Sequence, residues 1–256
     1  AVRGQGGRGK TTIASALVRQ HLDELSARFP DGIYWLTLGE QIPSLTGHQA
    51  SLLRSLGESK QQAIRDEMAG SVVVARCLAS KRLLLVLDDV WTDRHAQRFF
   101  SLPQSGESGS VVMITTRIAG LLGSGQPGSL VGEHVLGSFS DADGESLLRS
   151  SAGASGWEFD ADGKAVLSAC ERLPLAIAIV AGGITVGGPH QSWADVIVAL
   201  QVLEAATVVE RAIDFNLASL EPASRELYLE LSIFPEDVWI PLAVLEVYCP
   251  HPPAVA

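Results

Sequence analysis

An α/β fold, with a parallel sheet covered by helices on both faces and followed by a smaller helical region, is what this sequence predicts. Two observations carry that expectation. In the first half, short apolar runs at 33–38, 83–87 and 111–115 alternate with segments of helical spacing. Strands apolar on both faces and separated by helices belong to parallel sheets sandwiched between helical layers. From Ser140 onward the β-type runs stop, and helical patterns punctuated by glycine take over. The chain has 256 residues, 46% hydrophobic and 19% charged. That is room for one domain of ~150 residues and smaller ones beside it.

Each element has its own signal. Residues 12–25 put Ile13, Leu17, Val18, His21, Leu22 and Leu25 on one helical face. The turn signal Pro30-Asp31-Gly32 precedes the strand at 33–38. Residues 59–79 read as a helix, and the strand at 83–87 follows Lys81-Arg82 and runs into Asp88-Asp89. The strand at 111–115 follows the Gly/Ser-rich stretch 105–110; residues 123–128 read as a loop, and 129–136 as a last strand. Helices are expected at 141–152, 161–170 and 174–181, and the glycine-rich stretch 182–188 leads to another at 192–203. Residues 208–248 carry helical periodicity through Leu217, Leu220, Leu227, Leu229 and Leu231, broken by a turn at 235–237. The expected organisation is an α/β domain over 1–138, a helical domain over 139–205 and the start of a third unit over 206–256.

Composition excludes several classes. There is too much apolar surface for intrinsic disorder, and charge, Gly or Pro interrupts every apolar stretch before the ~20 residues of a membrane span. The 29 acidic against 19 basic residues give a net charge of −10, which disfavours nucleic-acid backbones as partners. Cys77, Cys170 and Cys249 are odd in number and far apart. They suggest neither a disulfide framework nor a metal cluster, and fit a reducing, cytoplasmic setting. The chain opens without Met, inside a motif, and reads as a fragment.

That motif is Gly4-Gln5-Gly6-Gly7-Arg8-Gly9-Lys10-Thr11, which fits G-x-x-x-x-G-K-[ST] at every position. Gly4, Gly6, Gly7 and Gly9 let the backbone curl into a nest whose N–H groups face phosphate oxygens. The following helix adds its free N–H groups and positive dipole end. Lys10 is one of only four lysines among 19 basic residues. It is suited to the β- and γ-phosphates, Thr11 to Mg²⁺, and Thr12 to the α-phosphate.

Asp88-Asp89 end an apolar strand, at the carboxyl edge where parallel sheets bind ligands. Asp88 is suited to Mg²⁺, through water, and Asp89 to orienting or deprotonating an attacking water. Thr115-Thr116-Arg117 closes the next strand, and parallel alignment brings Arg117 to the same edge. A guanidinium there either meets a γ-phosphate or is merely solvated.

In order along the chain, these blocks resemble the NB-ARC module of STAND-class signalling ATPases. That class includes plant disease-resistance receptors, apoptosome scaffold proteins and bacterial regulators. Residues 4–12 resemble its phosphate loop, with the doubled Gly and doubled Thr. Leu84-Leu85-Val86-Leu87-Asp88-Asp89-Val90-Trp91 resembles its Walker B block, and 109–117 its sensor-1 strand. Leu173-Pro174-Leu175-Ala176 resembles the block whose proline packs on adenine, a role the resemblance gives to Pro174; the plainer alternative is Pro at a helix's first turn. Trp193 and Leu200 resemble the end of the helical subdomain. Leu227 to Asp237, closing on Ile233-Phe234-Pro235-Glu236-Asp237, resembles the opening of a winged helix. The sequence departs from the family pattern in three places. Arg172 stands where the family usually has Gly, little remains of the first strand, and the Met-His-Asp motif is absent, His251 not matching it.

The resemblance implies a P-loop NTPase fold and a switch that is off with ADP and on with ATP, hydrolyses slowly in the presence of Mg²⁺, and takes Lys10 and Asp89 as catalytic residues. It also implies flanking sensor and effector domains and homo-oligomers when ATP is bound. Alternatives are a P-loop ATPase or kinase with real turnover, and the nucleotide-binding module of a STAND transcriptional regulator.

Overall fold

The computed structural model describes residues 1–40, 42, 44–58, 64–99, 109–121, 132–153, 156–184, 192–234 and 239–248. The chain divides into two compact units, Ala1–Gly137 and Ser138–Ala256.

The first unit runs β1 (Val2–Arg3), α1 (Lys10–Gln20), α2 (Leu22–Arg28), β2 (Ile33–Gly39), α3 (Leu45–Ser55), α4 (Glu67–Ala79), β3 (Leu84–Val90), α5 (Asp93–Gln97), β4 (Val111–Thr116) and β5 (His134–Val135). The strands form a parallel sheet in the order β2-β3-β4-β1-β5. The expected α/β fold is therefore present, with β4 inserted between β1 and β3. Of the predicted strand at 129–136, residues 132–136 are described and only His134–Val135 among them is strand (β5), whereas 129–131 and the expected loop at 123–128 lie outside the described residues.

The period of two in an extended chain explains the layering. Leu83, Leu85 and Leu87 pack on one face with Leu52, Leu53, Val74 and Leu78 from α3 and α4. Leu84 and Val86 face the other way, onto Phe29, with Val18 and Leu25 of α1 and α2 beside it. Both faces of β3 are dry, as a central parallel strand requires.

Two expectations need correction. Residues 12–25 do not form one helix: it breaks at His21, which ends α1 and precedes α2. Only part of its predicted face is covered, through the half-buried Val18 and Leu25 beside Phe29. Ala14 is 1% exposed, whereas Ile13 and Leu17 are 48% and 46% exposed. In addition, α3 and α5 were not foreseen. The helix predicted at 59–79 begins at Glu67, capped by the Asp66 side chain, and 59–63 lie outside the described residues.

Helix α3 hides its pattern behind a polar residue. It buries Leu45, Gln49, Leu52 and Leu53, a helical stripe with a glutamine in it. Gln49 is fully buried and its Nε2 donates to Glu67 O (3.1 Å), Ser71 Oγ (3.2 Å) and Arg98 O (3.3 Å), tying α3 to α4 and to the segment after α5. The helices meet this closely because residue 70 is glycine: a Cβ there would lie 2.0 Å from Gln49 Oε1.

The second unit contains α6 (Asp141–Ala152), α7 (Ala161–Ala169), α8 (Pro174–Gly183), α9 (Trp193–Gln201), α10 (Val208–Ala218), α11 (Pro222–Glu230), a 3-10 turn (Leu231–Ile233) and α12 (Leu242–Tyr248). Side-chain N-caps start many of them: Ser140, Asp160, Ser192 and Thr207, the last in a reciprocal capping box with Glu210. Their core gathers on α8 through Ala176, Ile177, Val180 and Ala181, with Leu148, Leu167, Val196 and Phe215 from its neighbours. Trp193 anchors one end, edge-on to Trp157 and Phe159 with centroids 4.8 and 5.9 Å away. The periodic stretch 208–248 is several short helices, interrupted where Ser219 ends α10 and Pro222 begins α11. The turn at 235–237, part of the stretch 182–188, and Cys249 and His251 lie outside the described residues.

Between α7 and α8 the backbone turns through two non-glycine residues of positive φ, Glu171 and Arg172, both at 52°. Arg172 therefore occupies a conformation that glycine adopts freely, and its carbonyl accepts from Phe139 N while its guanidinium pairs with Asp141. The substitution leaves a glycine-type turn in place, under strain.

Gly70→Ala should destabilise the chain by about 1–3 kcal/mol in urea unfolding, although alanine is the better helix former, because the added methyl collides with a hydrogen-bonded, buried Gln49. Arg172→Gly should stabilise it by about 1 kcal/mol, since strain relief exceeds both the entropy cost of glycine and the loss of an exposed ion pair.

Candidate functional site

The candidate site is built where three chain segments end at the carboxyl edge of the sheet: the loop after β1, the end of β3 and the end of β4. The loop is anchored at its start by Gly4 N donating to Thr116 O (3.2 Å). Gly4 is buried, and a Cβ there would lie 3.1 Å from Leu136 O. Gly7 and Gly9 take φ of 78° and 83°, the left-handed region, which curls the backbone into α1. Gly9 is the N-cap of α1 and offers no side chain to its first N–H groups, which leaves them for a ligand. Arg8 Nη2 donates to Gln5 Oε1 (3.3 Å).

Lys10 is buried, 7% exposed, and its Nζ donates to Gln5 O (3.1 Å), closing the loop over itself. Its pKa is held below the usual lysine value, first by burial and then by the Arg117 charge, while Asp89 and Asp88 oppose the shift. Two cations and two carboxylates thus share one electrostatic cluster.

Asp88 is the joint of the site. Its Oδ1 accepts from Thr11 Oγ1 (2.9 Å) and Thr115 Oγ1 (2.6 Å), so a single buried carboxylate joins the first turn of α1, β3 and β4. Next to it the β3–β4 register shifts between Leu87 and Val90. Asp89 takes φ 52° and its N–H donates to Thr115 Oγ1 (2.9 Å) instead of continuing the ladder. This is a bulge at a strand end, a device that re-aims side chains. Asp89 Oδ2 accepts from Trp91 Nε1 (3.0 Å), and its Oδ1 lies 3.6 Å from Arg117 Nε. The Arg117 guanidinium carbon lies over the Trp91 ring, 4.9 Å from its centroid. Its other flank meets the loop: a Cβ at Gly6 would lie 3.1 Å from Arg117 Nη1.

The structure therefore brings Gly4, Gly6, Gly7, Arg8, Gly9, Lys10, Thr11, Asp88, Asp89 and Arg117 together. Thr12 is exposed on the first turn of α1. Pro174 belongs to the second unit, at the first turn of α8 behind Leu173. Two participants escaped sequence reasoning. Thr115 bonds both aspartates, and Trp91 contacts Asp89 and Arg117. Each adjoins a flagged residue, but their roles depend on how β3 and β4 are registered.

Comparison with known proteins agrees with this geometry. The NB-ARC domain family matches residues 1–154. A probable disease resistance protein of Arabidopsis thaliana is 26% identical over 253 residues, covering 93% of this chain and 28% of the relative. A second one from the same plant is 28% identical over 258 residues, 95% of this chain and 29% of the relative. Apoptotic protease-activating factor 1 of Danio rerio is 25% identical over 264 residues, 96% of this chain and 20% of the relative. The chain thus spans less than a third of the length of these relatives. With the family matched over more than half of its residues, and its phosphate loop, paired aspartates and strand-end arginine assembled at one sheet edge, the chain belongs to the NB-ARC family of nucleotide-binding domains.

Proposed function

We propose that this chain is the adenine-nucleotide switch of a larger signalling protein, off with ADP and on with ATP, and slow to hydrolyse. The observation that carries this reading is the cluster of Lys10, Thr11, Asp88, Asp89 and Arg117 around one glycine loop. Loop amides from Gly6, Gly7 and Gly9, with the uncapped start of α1, bind phosphate oxygens, while Gly4 and Arg8 shape the loop, their own N–H groups donating to Thr116 O and Gln5 O. Lys10 adds its charge at the β- and γ-phosphates, and Thr12 assists at the α-phosphate.

Thr11 and Asp88 fit a magnesium ion. They present a hydroxyl and a carboxylate oxygen 2.9 Å apart, the hard donors that Mg²⁺ prefers. Bound there, the ion would neutralise charge on the phosphate oxygens. Arg117 contacts the γ-phosphate and Asp89 orients the water. One Asp89 oxygen already accepts from Trp91 and the other faces the Arg117 cation 3.6 Å away, competition that supports slow turnover. Pro174, in the helical region, packs on adenine.

The division into a nucleotide-binding domain (1–138), a helical domain (139–205) and a partial winged helix (206–256) belongs to the same proposal. The relatives' names support a defence or cell-death setting; flanking sensor and effector domains and homo-oligomers when ATP is bound belong to the same proposal. No helix among the described residues is long and apolar enough to cross a membrane, and the charge of −10 disfavours nucleic acid; the setting proposed is cytoplasmic.

Lys10→Ala should weaken both ADP and ATP binding by about 2 kcal/mol in calorimetric titration, and chelating Mg²⁺ should weaken ATP more than ADP. An unchanged ADP affinity in that variant would sink the phosphate-loop assignment. Asp89→Ala should keep ATP affinity within about threefold of wild type, a change below ~1 kcal/mol, while phosphate release stops. Hydrolysis at the wild-type rate in this variant would remove Asp89 from the chemistry and favour a structural role for it.

A further inference from the structure

Trp91 has no part in the roles above, yet Arg117 rests on it. The guanidinium lies over the indole ring at 4.9 Å from its centroid. A cation over an indole face is attracted by the ring's π electrons and spends no N–H donor on a hydrogen-bond acceptor there. On this structure those donors border the phosphate loop, since Nη1 lies 3.1 Å from where a Cβ at Gly6 would stand. Asp89 attracts the cation from 3.6 Å, too far for a hydrogen bond, so it steadies Arg117 without consuming its donors. The indole is held in turn by its Nε1–H on Asp89 Oδ2 at 3.0 Å, and Asp89 by its positive φ and its N–H on Thr115. An arginine at a strand end otherwise loses substantial rotamer freedom when it binds, and one held over a ring has already lost it.

We propose that Trp91 is a positioning residue for nucleotide selectivity: it holds Arg117 beside the phosphate loop, so that a triphosphate meets a donor already in place and a diphosphate gains nothing from it. The inference rests on the reading of Arg117 as the γ-phosphate contact. A packing role for this half-buried tryptophan would instead affect both nucleotides, or stability alone.

Calorimetric titration of the full 256-residue chain with ADP and with the non-hydrolysable β,γ-imido analogue of ATP separates these cases. Trp91→Leu keeps apolar bulk without an aromatic face and should lower affinity for the imido analogue about fivefold, leaving ADP within about twofold. Trp91→Phe restores a ring face and should recover much of the loss. In an Arg117→Ala background, Trp91→Leu should change neither affinity. Thermal melts establish that each variant is folded, and Trp91→Phe remains informative should the leucine variant unfold. Equal losses for both nucleotides, or the same loss without Arg117, would overturn the proposal. If Arg117→Ala selectively weakens the imido analogue while Trp91→Leu does not, the γ-phosphate reading stands and this inference fails. Wild-type protein that binds neither nucleotide would overturn both.

Discussion

A buried carboxylate has to be satisfied where it sits, because leaving it unpaired costs several kcal/mol. The first unit is organised around one that is satisfied. Asp88 Oδ1 takes hydroxyl hydrogen bonds from Thr11, at the start of α1, and from Thr115, in β4. Those two bonds hold the start of α1, and with it the glycine loop, against β3 and β4. They depend on β4 lying between β1 and β3, which sets Thr115 within reach of β3 and Thr116 within reach of Gly4. The sheet order thereby positions the glycine loop opposite both aspartates and the arginine.

Strain is placed where this joint changes direction. A non-glycine residue at φ 52° is costly, and such residues persist where surrounding bonds over-determine them. Asp89 is held by its own N–H on Thr115, by the Trp91 indole and by the Arg117 charge. The bulge turns Asp89 away from the ladder while Asp88 stays buried, so adjacent carboxylates acquire different surroundings. One is enclosed by hydroxyls, and the other faces a cation and an indole N–H. Two neighbouring aspartates can do different work only if their environments differ in this manner.

The second unit is held together by other means. Glycines give its helices their close approach: a Cβ at Gly144 would meet Leu167 Cδ1 at 2.5 Å, and one at Gly183 would meet Phe215 Cε1 at 2.9 Å. Small residues on α8 let its neighbours approach on several sides. Local caps then set where each helix begins, so short helices stay distinct although the apolar periodicity runs on through them.

What could be read from the amino acids was local. Glycine at Gly7 and Gly9 permits a loop of positive φ, Lys10 and Thr11 open a helix, and five apolar residues before Asp88 make a buried strand; none of this needs distant partners. The reading failed where distant partners choose. The helical face expected over 12–25 is only partly buried: Val18 and Leu25 reach the core, whereas Ala14 is buried and Ile13 and Leu17 are exposed, a choice made by the layer the helix packs on. Helix α3 was missed because Gln49 looks like surface until Glu67, Ser71 and Arg98 surround it. Thr115 and Trp91 carry no signal of their own. The Thr115 bonds to both aspartates and the Trp91 contact with Arg117 cross from one strand end to the other beside the β3–β4 register shift, a relation that neither strand encodes alone.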